Sequence, residues 1–222
     1  MSEQATSSPS QAQKHRVLAA ALIEADFGGW SLETLRAGAD AAGITRDHQR
    51  LLFPRGVLDL LEFYSEATDN QMAEGLRAHD LGSLKIREKV KLAVRLRIEA
   101  LADHKSAARH ALHHLAMPPF AGEGIKLLYR TCDRIWREIG DTSTDFNFYT
   151  KRALLAGVYA STLGVWMEDL SEDCLKTWVF LDARIENVMQ IEKVKAKIRE
   201  GAAKFPDPVK FFAGLRYPDR GG

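Results

Sequence analysis

Hydrophobic residues recur along most of the chain at spacings of three and four positions, the period of one face of an α-helix. Val17, Leu18 and Leu22 share one such face, and Leu60 and Leu61 begin another. We find no segment in which apolar and polar residues alternate as they do in a half-buried strand. The pattern therefore predicts an all-α protein.

Capping and turn residues divide this pattern into helices. Ser31 and Thr45 are predicted N-caps, Gly43 closes the helix between them, and Pro54 stops the helix after Thr45. The predicted helices run from about Lys14 to Asp26, from Ser31 to Gly43, Thr45 to Phe53, Val57 to Leu76, Ser83 to Ala102, Ser106 to Met117, Glu123 to Ile139, Phe148 to Glu168 and Ser171 to Lys204.

The first three helices are short and have a glycine-bearing turn between the second and third, which is typical of a helix-turn-helix unit. The predicted domain organisation has four parts. They are a disordered polar tail at residues 1–13, the helix-turn-helix-like unit at 14–56, a larger helical body at 57–204 and a basic aromatic tail at 205–222.

Composition narrows the function classes. Of the 222 residues, 45% are hydrophobic and 27% are charged, as in an ordinary soluble globular protein. The net charge of +1 argues against a strongly basic nucleic-acid binder. Cys132 and Cys174 lie far apart and match no metal or redox motif.

Motifs of catalysis are missing from the sequence: we find no glycine-rich phosphate loop, HExxH, GxSxG or CxxC. His110, His113 and His114 have helical spacing, but a metal site would need further ligands, for which Asp103 or His104 is the nearby choice. Solvent-facing or partly packed histidines are the simpler interpretation. We predict no catalytic residue, no metal site and no cofactor.

The segment GW-SLETLRAGADAAGIT resembles the amino-terminal module of tetracycline-repressor-type regulators, whose third helix enters the major groove. Here that helix begins Thr45, Arg46, Asp47, and the carboxylate of Asp47 would repel phosphates. Residues 14–56 hold six Lys/Arg and five acids, so DNA binding would release few counterions. We expect the fold without DNA binding. A ligand-sensing transcription regulator is the alternative.

Two stripes follow. Phe148, Arg152, Leu155 and Tyr159 succeed one another at i+3 and i+4, as at an interface. The alternative is an aromatic folded onto the core, with Arg152 paired to Asp133 or Asp145. A second stripe comprises Trp166, Leu175, Trp178, Leu181 and Ile185. It could line a ligand pocket, belong to the plain core or form a dimer seam.

The end of the chain mixes aromatic and basic residues. Residues 193–222 hold eight Lys/Arg and three acids, a net charge of +5. Such a segment suits the headgroup zone of a bilayer, although it could also pack on its own domain. The predicted membrane-facing residues are Phe205, Lys210, Phe211, Phe212, Leu215 and Arg216.

The stretch GDTSTDFNFYTKRALLAGVYASTLGVWMEDLSEDCLKTWVFLDARI, from Gly140 to Ile185, resembles the signature of a known family. The matching features are the GD-x-S-x-DFN turn, the aromatic-Tyr-Thr-basic-Arg run, the DxSxD turn at Asp169 and the TW-x-FL-x-x-RI run. The family is the lipid-binding accessory protein family of ubiquinone biosynthesis, the ninth member of the coenzyme Q gene set.

The resemblance implies a tetracycline-repressor-like, all-helical homodimer without enzymatic activity or DNA binding. It implies a deep apolar cavity for an isoprenoid, a quinone precursor or another lipid, which is presented to the di-iron hydroxylase of the pathway. With the stripes above, it gives as lipid-binding candidates Leu155, Tyr159, Trp166, Leu175, Trp178 and Leu181.

The family's patch for the hydroxylase maps onto Asp133, Phe148, Tyr149 and Arg152, and its carboxyl-terminal amphipathic helix implies peripheral attachment to membranes. The first 13 residues lack the features of a secretory signal and contain no arginine. On that basis we expect a bacterial cytoplasm, or the mitochondrial matrix if a transit peptide has been removed.

Overall fold

The computed structural model describes residues 9–142 and 146–203, with the side chains of residues 9–142 and 148–190. These residues contain helices and no strand, which confirms the all-α prediction. The helices are α1 (Pro9–Gly28), α2 (Leu32–Ala41), α3 (Arg46–Leu52), α4 (Val57–Arg77), α5 (Ile86–Glu99), α6 (Lys105–Ala116), α7 (Ala121–Glu138), α8 (Phe146–Glu168) and α9 (Leu175–Ala203).

Two compact units are distinguished, Met1–Leu181 and Asp182–Gly222. The first unit contains α1 to α8 and the start of α9. Short 3₁₀ turns precede α5, α6 and α9, at Leu81–Ser83, Ala102–His104 and Glu172–Cys174.

The helix-turn-helix-like unit follows its sequence signals closely. Ser31 Oγ accepts a hydrogen bond from the backbone N–H of Thr34 at 3.1 Å, and Thr45 Oγ1 accepts one from His48 at 3.4 Å. Gly43 adopts a φ of +69°, a conformation that costs other residues more. The predicted caps and turn of α2 and α3 are therefore confirmed.

Close packing joins α1 to α2. A Cβ added at Gly38 would lie 2.8 Å from the carbonyl oxygen of Val17, so any larger residue there would push the helices apart. Val17, Leu35 and Ala39 are fully buried at this contact. Leu32, three positions before Leu35, is exposed in the first turn of α2.

Three predicted helix starts were wrong. Helix α9 begins at Leu175 rather than Ser171, after the 3₁₀ turn Glu172–Cys174. Helix α1 begins at Pro9 rather than Lys14, so residues 9–13 are helical and only 1–8 of the predicted tail lie outside the described residues. Ser83 does not cap α5, because Leu84 and Lys85 are extended. Helix α5 begins after Lys85 instead, whose backbone N–H donates to Glu88 Oε2 at 2.9 Å.

Helix α1 holds the amino terminus of α6. Asp26 Oδ1 accepts from the backbone N–H of Ala107 at 2.8 Å, and Asp26 Oδ2 lies 2.6 Å from His104 Nδ1. An acidic side chain satisfies the otherwise unpaired N–H groups at a helix start. Trp30 Nε1 adds a 2.8 Å bond to the carbonyl of Ala107. The small amino-terminal unit is thus fixed to the helical body.

Candidate ligand cavity and partner surface

A cavity of about 380 Å³ lies among helices α4 to α8. Its size is within the range of small-molecule sites, and most of its wall is apolar. The wall is formed by Leu61, Tyr64, Ser65, Thr68, Arg97, Leu101, Ala108, Ala111, Leu112, Leu115, Ala116, Ala121, Gly124, Ile125, Leu127, Leu128, Thr131, Tyr159, Ala160, Leu163, Gly164 and Met167.

The buried part of this wall contains one charged side chain. Arg97 is 4% exposed, and its Nε donates to Asp69 Oδ1 at 2.6 Å. Thr131 Oγ1 donates to the same carboxylate at 3.0 Å. This pairing makes the burial of both charges tolerable, because each has a partner of opposite sign.

Two polar atoms of the buried wall have no partner among the described residues: the hydroxyl of Tyr64 and Nη1 of Arg97. Burial raises the pKa of Tyr64, against the opposing effect of the Arg97 charge. Burial opposes the charge of Arg97, but Tyr159 and Asp69 raise its pKa. The phenol is therefore neutral and the guanidinium charged at physiological pH.

Another part of the wall reaches the surface. Ile125 is 69% exposed, and Leu112 is also exposed. Small exposed residues of α6 and α8, Ala116, Ala160 and Gly164, lie at the same opening. The cavity thus has a polar interior end and an apolar mouth.

Of the six lipid-binding candidates, Tyr159 lines the cavity. The lining face of α8 continues through Leu163 and Met167 at i+4 steps. Trp166 is one residue from Met167, hence about 100° around the helix. It packs in the core under the amino group of Lys105, 4.8 Å from its ring centroid.

The other candidates also lie outside the cavity wall. Leu155 and Leu181 are buried in helix packing, whereas Leu175 is 63% exposed. Trp178 is half-buried, with the Arg95 guanidinium 4.9 Å from its ring centroid. The role of these residues in lipid binding stays a prediction, as do the alternatives of plain core and a dimer seam.

Sequence reasoning missed most of the cavity wall, including Tyr64 and Arg97. Ala160 and Gly164, small residues at i and i+4, were an available signal for open space beside α8. Arg97 carried a weaker signal as a charged residue beside the apolar positions Val94 and Ile98.

The four partner-binding candidates do converge. Arg152 Nε donates to Asp133 Oδ1 at 2.7 Å, joining α8 to α7. The Arg152 guanidinium carbon lies 3.4 Å from the centroid of the Phe148 ring. The rings of Phe148 and Tyr149 meet edge to face at 5.1 Å.

Burial separates the roles of these four residues. Arg152 is 1% exposed, and its Nη1 also lies 3.3 Å from Asp141 Oδ2. Tyr149 is 65% exposed, and Phe148 is half-buried. Arg152 therefore fixes the start of α8 on α7, and Tyr149 is the side chain that solvent or a partner can reach. Asp145, the other partner considered for Arg152, lies outside the described residues.

The turn between α8 and α9 is built on Asp169. Its Oδ1 accepts from Ser171 Oγ at 2.6 Å, and its Oδ2 accepts from the backbone N–H and Oγ1 of Thr177 at 2.8 and 2.6 Å. Hydrogen bonds from Ser171 and Thr177 hold the pKa of Asp169 well below its usual range. The DxSxD signal thus marks a carboxylate that caps the first turn of α9.

Two of the three helically spaced histidines singled out in the sequence, His110 and His114, have structural contacts. His110 Nδ1 lies 2.8 Å from the carbonyl oxygen of Ala25, and the ring of His114 stacks on Phe120 at 4.6 Å. Within the described part of the chain, no group of His, Cys, Asp and Glu side chains could hold a metal ion.

Both cysteines are free, and burial raises the pKa of the Cys132 thiol to about 12. Its thiolate, the nucleophilic form, is therefore negligible at neutral pH.

Among the described residues, no helix is both long and apolar enough to cross a membrane. The candidate membrane-facing residues, from Phe205 to Arg216, lie outside the described residues.

On α3, the basic side chains are paired with acids. Arg46 Nη2 lies 2.6 Å from Asp40 Oδ2, and Arg50 Nη1 lies 3.2 Å from Asp47 Oδ1. Both pairs reduce the positive potential that a recognition helix offers to phosphates.

The COQ9 family model matches residues 121–192. The chain is 32% identical over 192 residues to the rat (Rattus norvegicus) protein named ubiquinone biosynthesis protein COQ9, mitochondrial, and covers 62% of that protein with 84% of its own length. It is 30% identical over 192 residues to the human protein of the same name, of which it spans 60%. The family resemblance read from the sequence is confirmed.

These relatives correct one expectation. The rat, human, bovine and Dictyostelium discoideum proteins are named as mitochondrial, so the expectation of a bacterial cytoplasm was wrong. The composition of the first residues was too weak a basis for a compartment.

Among solved structures, the chain is similar to a TetR transcriptional regulator from Nitrosomonas europaea ATCC 19718, with a TM-score of 0.64. The match covers 79% of this chain and 97% of the regulator at 18% identity, which establishes the predicted repressor-like fold.

Proposed function

We propose, from the COQ9 family domain carried by residues 121–192, that this chain serves ubiquinone biosynthesis as a non-catalytic, lipid-binding accessory protein. The pathway is named in its relatives, of which the chain spans about three fifths. The observation that carries the lipid-binding role is the apolar cavity among α4 to α8.

The ligand class follows from the wall. An isoprenoid quinone precursor offers many apolar carbons, and each buried CH₂ contributes about 0.8 kcal/mol to transfer out of water. A wall of leucine, alanine and methionine side chains matches such a chain. Phospholipid acyl chains have the same chemistry and are the second source of ligand.

Presentation to the di-iron hydroxylase is the second part of the proposal. Tyr149, which is exposed, and Phe148, which is half-buried, form an aromatic pair at the start of α8. Exposed aromatic residues are common anchors at interfaces. Asp133 and Arg152 hold the backbone beneath this pair. The surface is thus positioned before any partner arrives.

A homodimer is the third part. Leu175 and Val179, one turn apart on α9, are both exposed, as is Leu170 in the preceding turn. Exposed apolar groups of this kind indicate an interaction surface. A second copy of the chain, packed along α9, would cover them.

The deciding experiment is mass spectrometry of lipids released from the purified native protein. We expect a prenylated or acylated lipid, and Ala111→Leu, which adds volume to the cavity wall, should reduce its amount. Ala153→Leu on the exposed side of α8 is the matched control and should retain the lipid. Lipid-free extracts, together with no melting-temperature response to added prenyl lipids, would refute the carrier function.

A further inference from the structure

The cavity wall has a buried polar part and an exposed apolar part. Its apolar mouth lies at Leu112 and Ile125, which are exposed. Its interior end contains Tyr64 and Arg97, both buried. A ligand inside the cavity would therefore meet solvent-accessible hydrocarbon at one end and enclosed polar groups at the other.

Two polar atoms at the interior end lack hydrogen-bond partners within the part of the chain that the structure describes. The Tyr64 hydroxyl and Arg97 Nη1 have none among the described residues, although both atoms are buried. A buried polar atom without a partner destabilises a protein, so such atoms call for an explanation. A ligand oxygen that accepts a hydrogen bond from Arg97 Nη1, and also accepts one from the Tyr64 hydroxyl or donates one to it, would give both atoms a partner.

The balanced charges of Arg97 and Asp69 favour a neutral ligand oxygen over a charged one. The positive charge of Arg97 is already balanced by Asp69, whose Oδ1 is 2.6 Å from Nε. A phosphate brought into the same enclosed space would arrive without a free counter-charge, and burying an unpaired charge is costly. A neutral oxygen, such as that of a phenol or a quinone, needs only the hydrogen bonds that the site offers.

We propose that the cavity binds its ligand head-inward, with a neutral phenol or quinone oxygen at Tyr64 and Arg97 and the prenyl tail leaving through the mouth at Leu112 and Ile125. The inference rests on the proposed lipid-binding function and adds the orientation and the chemistry of the head. A head-inward ligand keeps its reactive ring out of water while its tail stays near other apolar surfaces. It also means that handing the ring to a partner requires the cavity to open or the ligand to leave.

The test compares 2-geranylphenol with geranylbenzene, which lacks only the hydroxyl. The wild-type protein should bind the phenol about tenfold more tightly, since the hydrocarbon leaves buried donors unpaired. Tyr64→Phe should reduce this ratio at least threefold and leave the melting temperature of the ligand-free protein unchanged or higher. Tyr129→Phe, on the exposed side of α7 and outside the wall, is the matched control and should keep the wild-type ratio.

The outcomes separate the two proposals. Equal affinity of the wild-type protein for both compounds would overturn the head-inward orientation and leave lipid binding intact, as would an unchanged ratio in Tyr64→Phe. Binding of neither compound would overturn both proposals. A fluorophore attached to the tail end should be tolerated and one attached to the phenol oxygen rejected, and the reverse pattern would show that the tail enters first.

Discussion

The guanidinium of Arg152 lies over the ring of Phe148, with its carbon 3.4 Å from the ring centroid. The same group donates to Asp133 at 2.7 Å and is almost inaccessible to solvent. An arginine so enclosed orients the residues around it and does not reach a partner itself. The aromatic pair and the arginine therefore have separable effects on stability and on binding.

Replacing Arg152 should cost stability. Arg152→Ala leaves Asp133 and Asp141 with fewer donors in a buried setting, so we expect a loss of about 3 kcal/mol in the free energy of unfolding. For a protein of this size that corresponds to roughly 6–12 °C in melting temperature. Arg137→Ala is the matched control, because Arg137 pairs with the same Asp133 at 2.8 Å but its side chain is 68% exposed. Its loss should stay below about 1 kcal/mol, and equal losses for both variants would contradict the structural role of Arg152.

Replacing Tyr149 should weaken binding to the partner without unfolding the protein. Tyr149→Ala removes an exposed aromatic side chain, so the melting temperature should hardly change. Loss of an interface anchor typically costs at least about 2 kcal/mol, hence a weakening of the dissociation constant for the di-iron hydroxylase by more than tenfold. Calorimetric titration with the hydroxylase measures this.

Phe148→Ala should lower both partner affinity and thermal stability, because Phe148 is half-buried against Arg152. A destabilised Phe148→Ala with normal partner affinity would assign Phe148 to the core. If Tyr149→Ala binds the hydroxylase with wild-type affinity, the aromatic pair is not part of the partner surface.

Asp169 should make the turn before α9 sensitive to acid. Its pKa is lowered in the folded protein, so its contribution to stability is complete above the ordinary pKa of an aspartate. That contribution is lost as the pH falls from about 4 toward the lowered value. The measurement is the free energy of unfolding at pH 7 and at pH 3.

Asp169→Asn should show a smaller difference between these two pH values than the wild-type protein, and a lower stability at pH 7. Thr177→Val, which removes one donor to the carboxylate, should lie between the two. The same pH dependence in all three proteins would exclude Asp169 as a source of acid sensitivity.

Removing residues 205–222 should lower binding to anionic liposomes. The deleted segment contains Phe205, Phe211, Phe212, Leu215 and Tyr217, with basic residues between them. Co-sedimentation with anionic and with neutral vesicles measures the effect, and the circular dichroism spectrum should change little. If the shortened protein binds both vesicles as before, the membrane-facing surface lies elsewhere in the chain.

No specific DNA binding should survive physiological salt, even though the fold is that of a transcription regulator. Arg46 and Arg50 are paired with Asp40 and Asp47, which leaves little positive charge on α3 for phosphates. Selection of binding sequences from a random library at 150 mM salt should return no consensus. A recovered site whose binding is abolished by Arg46→Ala would instead establish the regulator function.

Local sequence signals determined the helices and several of their ends. The caps at Ser31 and Thr45 and the glycine turn at Gly43 follow from the chemistry of residues a few positions apart, and the structure confirms each. A helix end that depends on a neighbouring element could not be predicted from the local sequence. The amino terminus of α6, which Asp26 of α1 holds, is an example.

The family resemblance was also visible in the sequence alone, because the matching signature is a continuous stretch with particular residues at particular spacings. Asp133 and Arg152 could be proposed as a pair on the same basis. The near-complete burial of the Arg152 side chain could not be predicted, since it depends on how α7 and α8 pack.

Only the tertiary structure decided which residues line the cavity. Five helices contribute to its wall, and the direction in which each side chain points depends on the rotation of its helix against four others. A helical stripe in the sequence shows that a face is apolar and does not show whether that face meets a packed neighbour or an open space. For that reason Trp166 is core while Tyr64 and Arg97, 33 positions apart, share the wall of one cavity.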